Sequence, residues 1–165
     1  MKIPPLLDAI FAKDEARFLA FNFEYSEFLY VDKSGRSLLH NAILENLPSI
    51  IMYLIDNVPE VLKMGDNKGL KPLHYCALKN DIKTAKLILE KGVNIDLIDS
   101  YGNTPLWRAV FEAREEKYEV VLFFIQNGAN PTIKNNTGIS PLDFARKVDD
   151  QKLINILLRK EGSGA

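Results

Sequence analysis

The stretch GNTPLWRAV at residues 102–110 decides the fold of this chain, because three close copies of it occur elsewhere. GRSLLHNAI begins at Gly35, GLKPLHYCA at Gly69 and GISPLDFAR at Gly138. The four glycines are 34, 33 and 36 residues apart. A period of about 33 residues is typical of a turn followed by two antiparallel helices. The sequence therefore predicts a stack of such units.

Each copy carries the signals of a turn that leads into a helix. Three residues before each glycine lies a residue whose side chain bonds its own backbone and sets a turn, namely Asp32, Asp66, Asp99 or Asn135. In three copies a proline suited to a first helical turn follows, namely Pro72, Pro105 and Pro141. Apolar residues at i, i+3 and i+4 predict second helices in SIIMYLID, TAKLILEKG, EVVLFFIQNG and KLINILLRK. Two of these helices are expected to end at Gly92 and Gly128.

The segments GNTPLWRA, GLKPLH and NGANPTIKNNTGISPLDFA resemble the ankyrin repeat over nearly the whole chain. The resemblance implies an all-α solenoid of helix-turn-helix units with short turn or hairpin tips. It implies one domain at residues 1–160, in which an N-terminal capping unit (1–31) precedes repeats at 32–65, 66–98 and 99–134 and a C-terminal repeat at 135–160. Residues 161–165, EGSGA, are expected to form a flexible tail of undetermined origin.

The copies depart from one another in places. NVPEVLKM carries one extra residue, and Val58 stands where a helix-ending glycine is usual. The third repeat gains three residues near Arg114 to Lys117, which are expected to lengthen the turn between its helices and leave the stack intact. The last unit has Asp143 and Arg146 where internal repeats prefer His and Ala, as suits a terminal unit with a polar surface.

Composition restricts the kinds of partner. The 165 residues are 47% hydrophobic, which suits a folded core and not a disordered chain. Lys and Arg number 21 against 22 Asp and Glu, so no general positive charge favours nucleic acid or an anionic membrane. No stretch approaches the roughly 18 apolar residues of a membrane span. The single cysteine, Cys76, excludes an intramolecular disulfide and indicates a reducing compartment, so we expect the cytoplasm.

The residues that most suggest a catalytic site all fall in repeated positions. Trp107 occupies the position of His40 and His74, which the resemblance implies lies at the start of the first helix and braces the turn. Cys76 lies two residues from His74 and does not face it on a helix, and it fills a small-residue position. All four are therefore interpreted as structural.

The remaining candidates are equally weak as catalysts. The carboxylate pairs Glu115–Glu116 and Asp149–Asp150 fall in helix-connecting segments, where solvated charge is the common case. The glycines are periodic and form no phosphate-binding loop. The sequence thus predicts no enzyme, no metal site and no cofactor.

Positions that do not repeat are the candidates for recognition. The resemblance implies that the turn tips, the residue after each glycine and the exposed side of each first helix line a concave protein-binding face. The candidate residues are Lys33, Ser34, Arg36, Leu44, Glu45, Asn67, Lys68, Leu70, Leu78, Lys79, Ser100, Tyr101, Asn103, Phe111, Glu112, Asn136, Thr137 and Ile139. Among them Leu70, Leu78, Tyr101 and Phe111 are expected to form a binding patch, unless Leu78 and Phe111 lean between the repeats instead.

Two functions are compatible with this pattern. YGNTPLWRAVF and KNNTGISPL are similar to segments of short bacterial ankyrin proteins, some of which are toxin immunity proteins. That resemblance implies a stoichiometric inhibitor of a protein partner, monomeric when free. The alternative is a non-inhibitory adaptor or scaffold. The lack of an appended catalytic or targeting domain favours the inhibitor, because an adaptor usually needs two surfaces.

Overall fold

The computed structural model describes residues 4–20, 24–113 and 118–159. Within these ranges the chain forms ten α-helices, which are α1 (Pro5–Phe11), α2 (Glu15–Ala20), α3 (Leu38–Glu45), α4 (Pro48–Asn57), α5 (Pro72–Lys79), α6 (Ile82–Glu90), α7 (Pro105–Glu112), α8 (Glu119–Gln126), α9 (Pro141–Lys147) and α10 (Gln151–Leu157). Two 3-10 helices occupy Tyr25–Leu29 and Pro59–Leu62. The described part of the chain contains one isolated β-bridge, Val31 to Ser37, and no sheet.

The ten helices form five consecutive pairs that stack in a row. The first helix of each pair packs on the first helix of the next, so α1 contacts α3, α3 contacts α5, α5 contacts α7 and α7 contacts α9. The second helices form a parallel layer, in which α2 contacts α4, α4 contacts α6 and α8 contacts α10. The predicted all-α solenoid is therefore confirmed.

The helix starts and ends follow the sequence signals. Pro72, Pro105 and Pro141 each occupy the first position of a helix, where a missing N–H removes no hydrogen bond. The Thr104 hydroxyl accepts a hydrogen bond from the Trp107 backbone N–H at 3.1 Å and caps α7. Gly92 follows α6 with φ at +77°, in the left-handed region that glycine adopts without strain.

The first helices approach one another through a repeated small residue. Ala9, Ala42, Cys76, Ala109 and Ala145 occupy this position in the five pairs, and each is at most 1% exposed. Burial raises the pKa of the Cys76 thiol well above its ordinary value, because the thiolate would lose its hydration. Cys76 thus acts as a small core residue.

The four turns before α3, α5, α7 and α9 contain many of the residues predicted to bind a partner. We call them tip 1 (residues 32–36), tip 2 (66–70), tip 3 (99–103) and tip 4 (135–139). Between the first two repeats, Val58 ends α4 at φ −133°, which any residue can adopt, and the following 3-10 helix holds the extra residue. The predicted longer turn at residues 114–117 and the predicted tail at 161–165 lie outside the described residues.

Candidate protein-binding face

Each tip is a turn held by the side chain that begins it. In tip 2, one carboxylate oxygen of Asp66 accepts hydrogen bonds from the backbone N–H of Lys68 at 2.8 Å and of Leu70 at 3.0 Å. The equivalent bonds to Ser34, Tyr101 and Thr137 recur in the other three tips. The Asp and Asn residues predicted to set the turns therefore do so.

Hydrogen bonds also join neighbouring tips into one row. The backbone N–H of Asn67 donates to the carbonyl of Ser34 at 2.9 Å, and that of Ser100 donates to the carbonyl of Lys68 at 3.0 Å. The backbone N–H of Asn136 continues the row by donating to the carbonyl of Tyr101 at 2.9 Å. The outward side chains of all four tips thus stand on a backbone with fixed spacing.

The second carboxylate oxygen of each aspartate faces the first helix. The partner is always nine residues along the chain: Asn41 Nδ2 lies 3.3 Å from Asp32, Tyr75 Oη lies 2.8 Å from Asp66, and an Arg108 guanidinium nitrogen lies 4.0 Å from Asp99. Burial and the bond to Asp66 raise the pKa of the Tyr75 hydroxyl, because its anion would be desolvated beside a carboxylate. This contact ties each of these tips to its helix.

Two buried histidines tie the first two repeats to the tips that follow them. The Nδ1 of His40 accepts from the Ser37 backbone N–H at 3.0 Å, so its proton lies on Nε2, which donates to the carbonyl of Leu70 at 3.0 Å. The Nε2 of His74 donates to the carbonyl of Asn103 at 2.9 Å in the same way. Burial lowers the pKa of both imidazoles to about 4, because the charged form would be desolvated. Both side chains are structural links with no access to a substrate.

Trp107 occupies the histidine position but makes a different connection. Its buried Nε1 has no hydrogen-bond partner among the described residues. Its ring instead stacks on Phe111, with centroids 5.3 Å apart and an angle of 13°, and lies 6.0 Å from the Phe144 ring. The contact between α7 and α9 therefore rests on aromatic packing. Trp107 packs as the sequence interpretation expects.

The eighteen predicted recognition residues differ in how much side chain they expose. Eleven are exposed, which are Lys33, Ser34, Asn67, Lys68, Leu78, Lys79, Ser100, Tyr101, Glu112, Asn136 and Thr137. Five are partly exposed, which are Arg36, Leu44, Glu45, Phe111 and Ile139. Leu70 and Asn103 are buried, at 7% and 6% exposure, and each supplies its carbonyl to a histidine. The side chains of these two have little surface to offer a partner.

The first two tips border a cleft of about 480 Å³ beside α5 and α7. Seven predicted residues line it, which are Lys33, Ser34, Arg36, Asn67, Lys68, Leu70 and Leu78. Tyr101 and Phe111 are outside this lining, so the four predicted apolar residues do not share one cleft. Phe111 leans against Trp107 and Phe144, which is the alternative that the sequence left open.

Sequence reasoning missed three lining residues, Asp66, Tyr75 and Arg108. Tyr75 and Arg108 each lie six residues after a tip glycine, at a position where residue type varies between repeats. This variation on the first helices was the sequence signal that could have identified Tyr75 and Arg108 as lining residues. Asp66 was assigned to the turn alone, because the sequence does not show that its second oxygen borders the cleft.

The described residues contain no group of three His, Cys, Asp or Glu side chains placed to hold a metal ion. In the same ranges no helix has both the length and the apolar character needed to cross a bilayer. Asp150 of the predicted carboxylate pair caps α10 by accepting from the Leu153 N–H at 2.9 Å, and Asp149 has a left-handed φ of +54°. Glu115 and Glu116 lie outside the described residues.

A row of fixed tips beside exposed first-helix side chains defines a repeat-type protein-interaction module. The family profile described as ankyrin repeats, in three copies, matches residues 6–99 and 39–135. The chain therefore belongs to the ankyrin repeat family, as its sequence motifs imply.

Curated relatives share this repeat region. The chain is 32% identical to mouse Ankyrin repeat domain-containing protein 13C over 121 residues, which are 73% of this chain and 22% of that protein. It is 29% identical to the Saccharomyces cerevisiae protein named Probable 26S proteasome regulatory subunit p28 over 136 residues, 80% of this chain and 58% of that protein. It is 28% identical to NAD-dependent deacetylase sir2B of Dictyostelium discoideum over 60% of this chain and 14% of that protein. In all three comparisons the chain spans less than two thirds of the relative.

Proposed function

We propose that this chain is a cytoplasmic, stoichiometric inhibitor of a protein partner, acting by occlusion as toxin immunity proteins do and monomeric when free. The partner would be a toxin or effector encoded nearby. The binding surface comprises the four tips and the exposed side of the first helices. The hydrogen-bonded row of tips is the observation that carries this proposal.

A fixed row of tips favours tight binding. Loops that are already ordered lose little conformational freedom when a partner docks, so more of the contact energy appears as affinity. The bonds from Asn67 to Ser34, from Ser100 to Lys68 and from Asn136 to Tyr101 provide this order before any partner arrives. Tyr101 stands on tip 3 with 55% of its surface exposed, as a rigid amphipathic anchor of the kind enriched at interface hot spots.

Co-expression with the products of adjacent genes tests the proposal. One adjacent product should arrest host growth when produced alone, and this chain should restore growth when the two are present at about equal levels. Light scattering of the purified pair should give a one-to-one complex. The Cys76→Ala variant should protect equally well, because the thiol is buried and takes no part. Failure of every adjacent product to bind would refute the immunity role.

An adaptor is the second candidate, because another cleft lies away from the tips. This cleft has a volume of about 580 Å³ and is lined from α8 and α10 by Glu119, Leu122, Lys152, Asn155 and Ile156, together with Tyr118 and Arg159. The Lys152 ammonium lies 4.9 Å from the centre of the Tyr118 ring. An adaptor would lose cellular activity in Asn155→Arg while keeping its affinity at the tips. An inhibitor would be unaffected by that change.

A further inference from the structure

The first two tips expose lysines, and the neighbouring carboxylates already accept hydrogen bonds from other groups. Lys33 and Lys68 are exposed, and neither ammonium has a carboxylate within 4 Å in the described ranges. Asp32 accepts from the Ser34 and Arg36 backbones and pairs with Arg36 Nε at 2.8 Å. The positive charge of both lysines is therefore available to a partner.

Asp66, the one carboxylate in the cleft lining, is occupied in the same way. One of its oxygens accepts two backbone N–H groups of tip 2, and the other accepts the Tyr75 hydroxyl. The lining also contains four cationic side chains, which are Lys33, Arg36, Lys68 and Arg108. Arg36 is paired with Asp32 at 2.8 Å, and Arg108 lies 4.0 Å from Asp99 and 3.8 Å from Glu112, so Lys33 and Lys68 are the cations of the lining that remain for the carboxylates of a partner.

The lining of this cleft also contains apolar surface. Leu78 is 40% exposed and belongs to the lining together with the Tyr75 ring and the edge of Leu70. The Arg108 guanidinium approaches Asp99 at 4.0 Å and Glu112 at 3.8 Å, while its Nε is buried without a hydrogen-bond partner among the described residues. A ligand that combines carboxylate groups with an apolar side chain would complement this surface.

The other two tips lack this charge. Their outward residues are Ser100 and Tyr101 in tip 3 and Asn136 and Thr137 in tip 4, all uncharged. Among the outward residues of the four tips, the two lysines therefore lie on tips 1 and 2. The four tips therefore form a cationic half and a neutral half.

We infer that the cleft between tips 1 and 2 binds an acidic segment of a protein partner, with carboxylates at Lys33 and Lys68 and an apolar side chain on Leu78. This inference rests on the proposed function, because it names the chemistry of the partner at that face. A peptide is favoured over nucleic acid because the lining combines Leu78 and Tyr75 with two unpaired tip lysines, whereas a nucleic-acid-binding protein typically makes about 6–10 phosphate contacts.

A random 12-residue peptide display library selected on the intact chain tests this inference. The enriched peptides should contain three or more Asp or Glu residues together with a Leu, Ile, Met or Phe. A synthetic peptide of the consensus sequence should bind at least tenfold more weakly to Lys33→Glu/Lys68→Glu. Binding should also weaken severalfold between 50 and 500 mM salt, because exposed charges are screened.

The matched control is Lys83→Glu/Lys86→Glu, which makes the same charge change on the exposed side of α6. It should change the affinity less than twofold, and both variants should melt within a few degrees of the parent. Selection of neutral or basic peptides, failure to enrich any peptide, or equal loss in both variants would overturn the inference. A 20-nucleotide single strand that binds tighter than the peptide and displaces it would assign the cleft to nucleic acid instead.

The same variants separate this inference from the proposed function. If Lys33→Glu/Lys68→Glu still protects cells fully from the partner, inhibition stands and the acidic-segment inference fails. If acidic peptides bind the cleft but no adjacent gene product is inhibited, the inference stands and the inhibitor role fails.

Discussion

Protonation of the two buried histidines should destabilise the repeat stack as the pH falls from 7.5 to 5. His40 and His74 are fully buried, and each uses Nδ1 as an acceptor and Nε2 as a donor. A proton on Nδ1 would turn that acceptor into a second donor facing a backbone N–H. Burial, which would desolvate the charged imidazole, lowers the pKa of both residues from 6.5 to about 4, and the unfavourable Nδ1 contact acts in the same direction.

The magnitude follows from proton linkage. Since the folded pKa is depressed, the stabilisation is complete above the unfolded pKa of 6.5 and is lost as the pH falls towards 4. At pH 5 the imidazole is mostly protonated in the unfolded chain and mostly neutral in the folded chain. Each histidine therefore lowers the unfolding free energy by about 2 kcal/mol relative to pH 7.5. Both together remove about 4 kcal/mol, a large part of the 5–15 kcal/mol typical of a domain.

The carboxyl groups of Asp32 and Asp143 do not account for a loss in this window. The hydrogen bonds from Arg36 and Ser34 hold the pKa of Asp32 below its ordinary value of 3.8 despite its burial, and those from Ser140 do the same for Asp143. A lowered carboxyl pKa withdraws stability only near and below the unfolded value. The interval from pH 6.5 to 5 thus isolates the histidines.

Urea unfolding followed by circular dichroism at several pH values measures the effect. The unfolding free energy should fall by about 2 kcal/mol per pH unit near pH 5.5, which corresponds to nearly two protons bound on unfolding. His74→Gln should halve this slope, because one titrating group remains. A parent chain whose stability is flat between pH 7.5 and 5, or a variant with the parent's slope, would show that these imidazoles are not held neutral.

Four substitutions separate scaffold from binding surface. Trp107→Ala removes the ring that stacks on Phe111 within α7 and contacts Phe144 of α9, and it should lower the unfolding free energy by about 3 kcal/mol with affinity per folded molecule unchanged; lost affinity at unaltered stability would contradict this. Tyr101→Ala should weaken partner binding by about 1–2 kcal/mol and leave the melting temperature within a few degrees, so parental affinity would remove tip 3 from the interface. Gly69→Ala should destabilise more than Gly92→Ala in thermal melts, since both have positive φ but only the Gly69 methyl would meet the Ser100 backbone nitrogen, at 2.7 Å; equal losses would refute the tip-contact reasoning.

The sequence predicted the fold because its signals act within one repeat. The Asp or Asn at each tip, the prolines at the starts of α5, α7 and α9, and Gly92 act on backbone within a few residues of themselves. The buried position shared by Cys76 and the alanines could also be predicted, since a small residue at a fixed period implies close helix contact. In a repeat protein each unit contacts only its neighbours, so signals within one unit are enough to predict the whole stack.

The face itself was less predictable, because exposure depends on the neighbouring repeat. Leu70 and Asn103 follow the pattern of a surface position, yet their side chains are covered and their carbonyls serve His40 and His74. The role of Tyr75 depends on a carboxylate nine residues earlier, whose orientation no spacing rule gives. The charge of the cleft likewise emerges only when the bonds that occupy Asp32 and Asp66 are known.

The replacement of histidine by Trp107 makes the joints of the stack chemically unequal. Hydrogen bonds from His40 and His74 hold tips 2 and 3, whereas α9 is held by the aromatic rings of Trp107, Phe111 and Phe144, which do not titrate.

Mild acid should therefore loosen the α3–α5 and α5–α7 joints before the α7–α9 joint. In repeat proteins each unit contacts only its neighbours, so such local differences persist in the native state. Hydrogen exchange compared between pH 7.5 and pH 5, after correction for intrinsic exchange rates, should show protection falling by tenfold or more in α3 and α5 and little in α9. His40→Gln and His74→Gln should each cancel the loss at its own joint. Equal loss along the whole stack would mean that the repeats unfold as one cooperative unit, and that the aromatic joint gives the C-terminal repeat no independence.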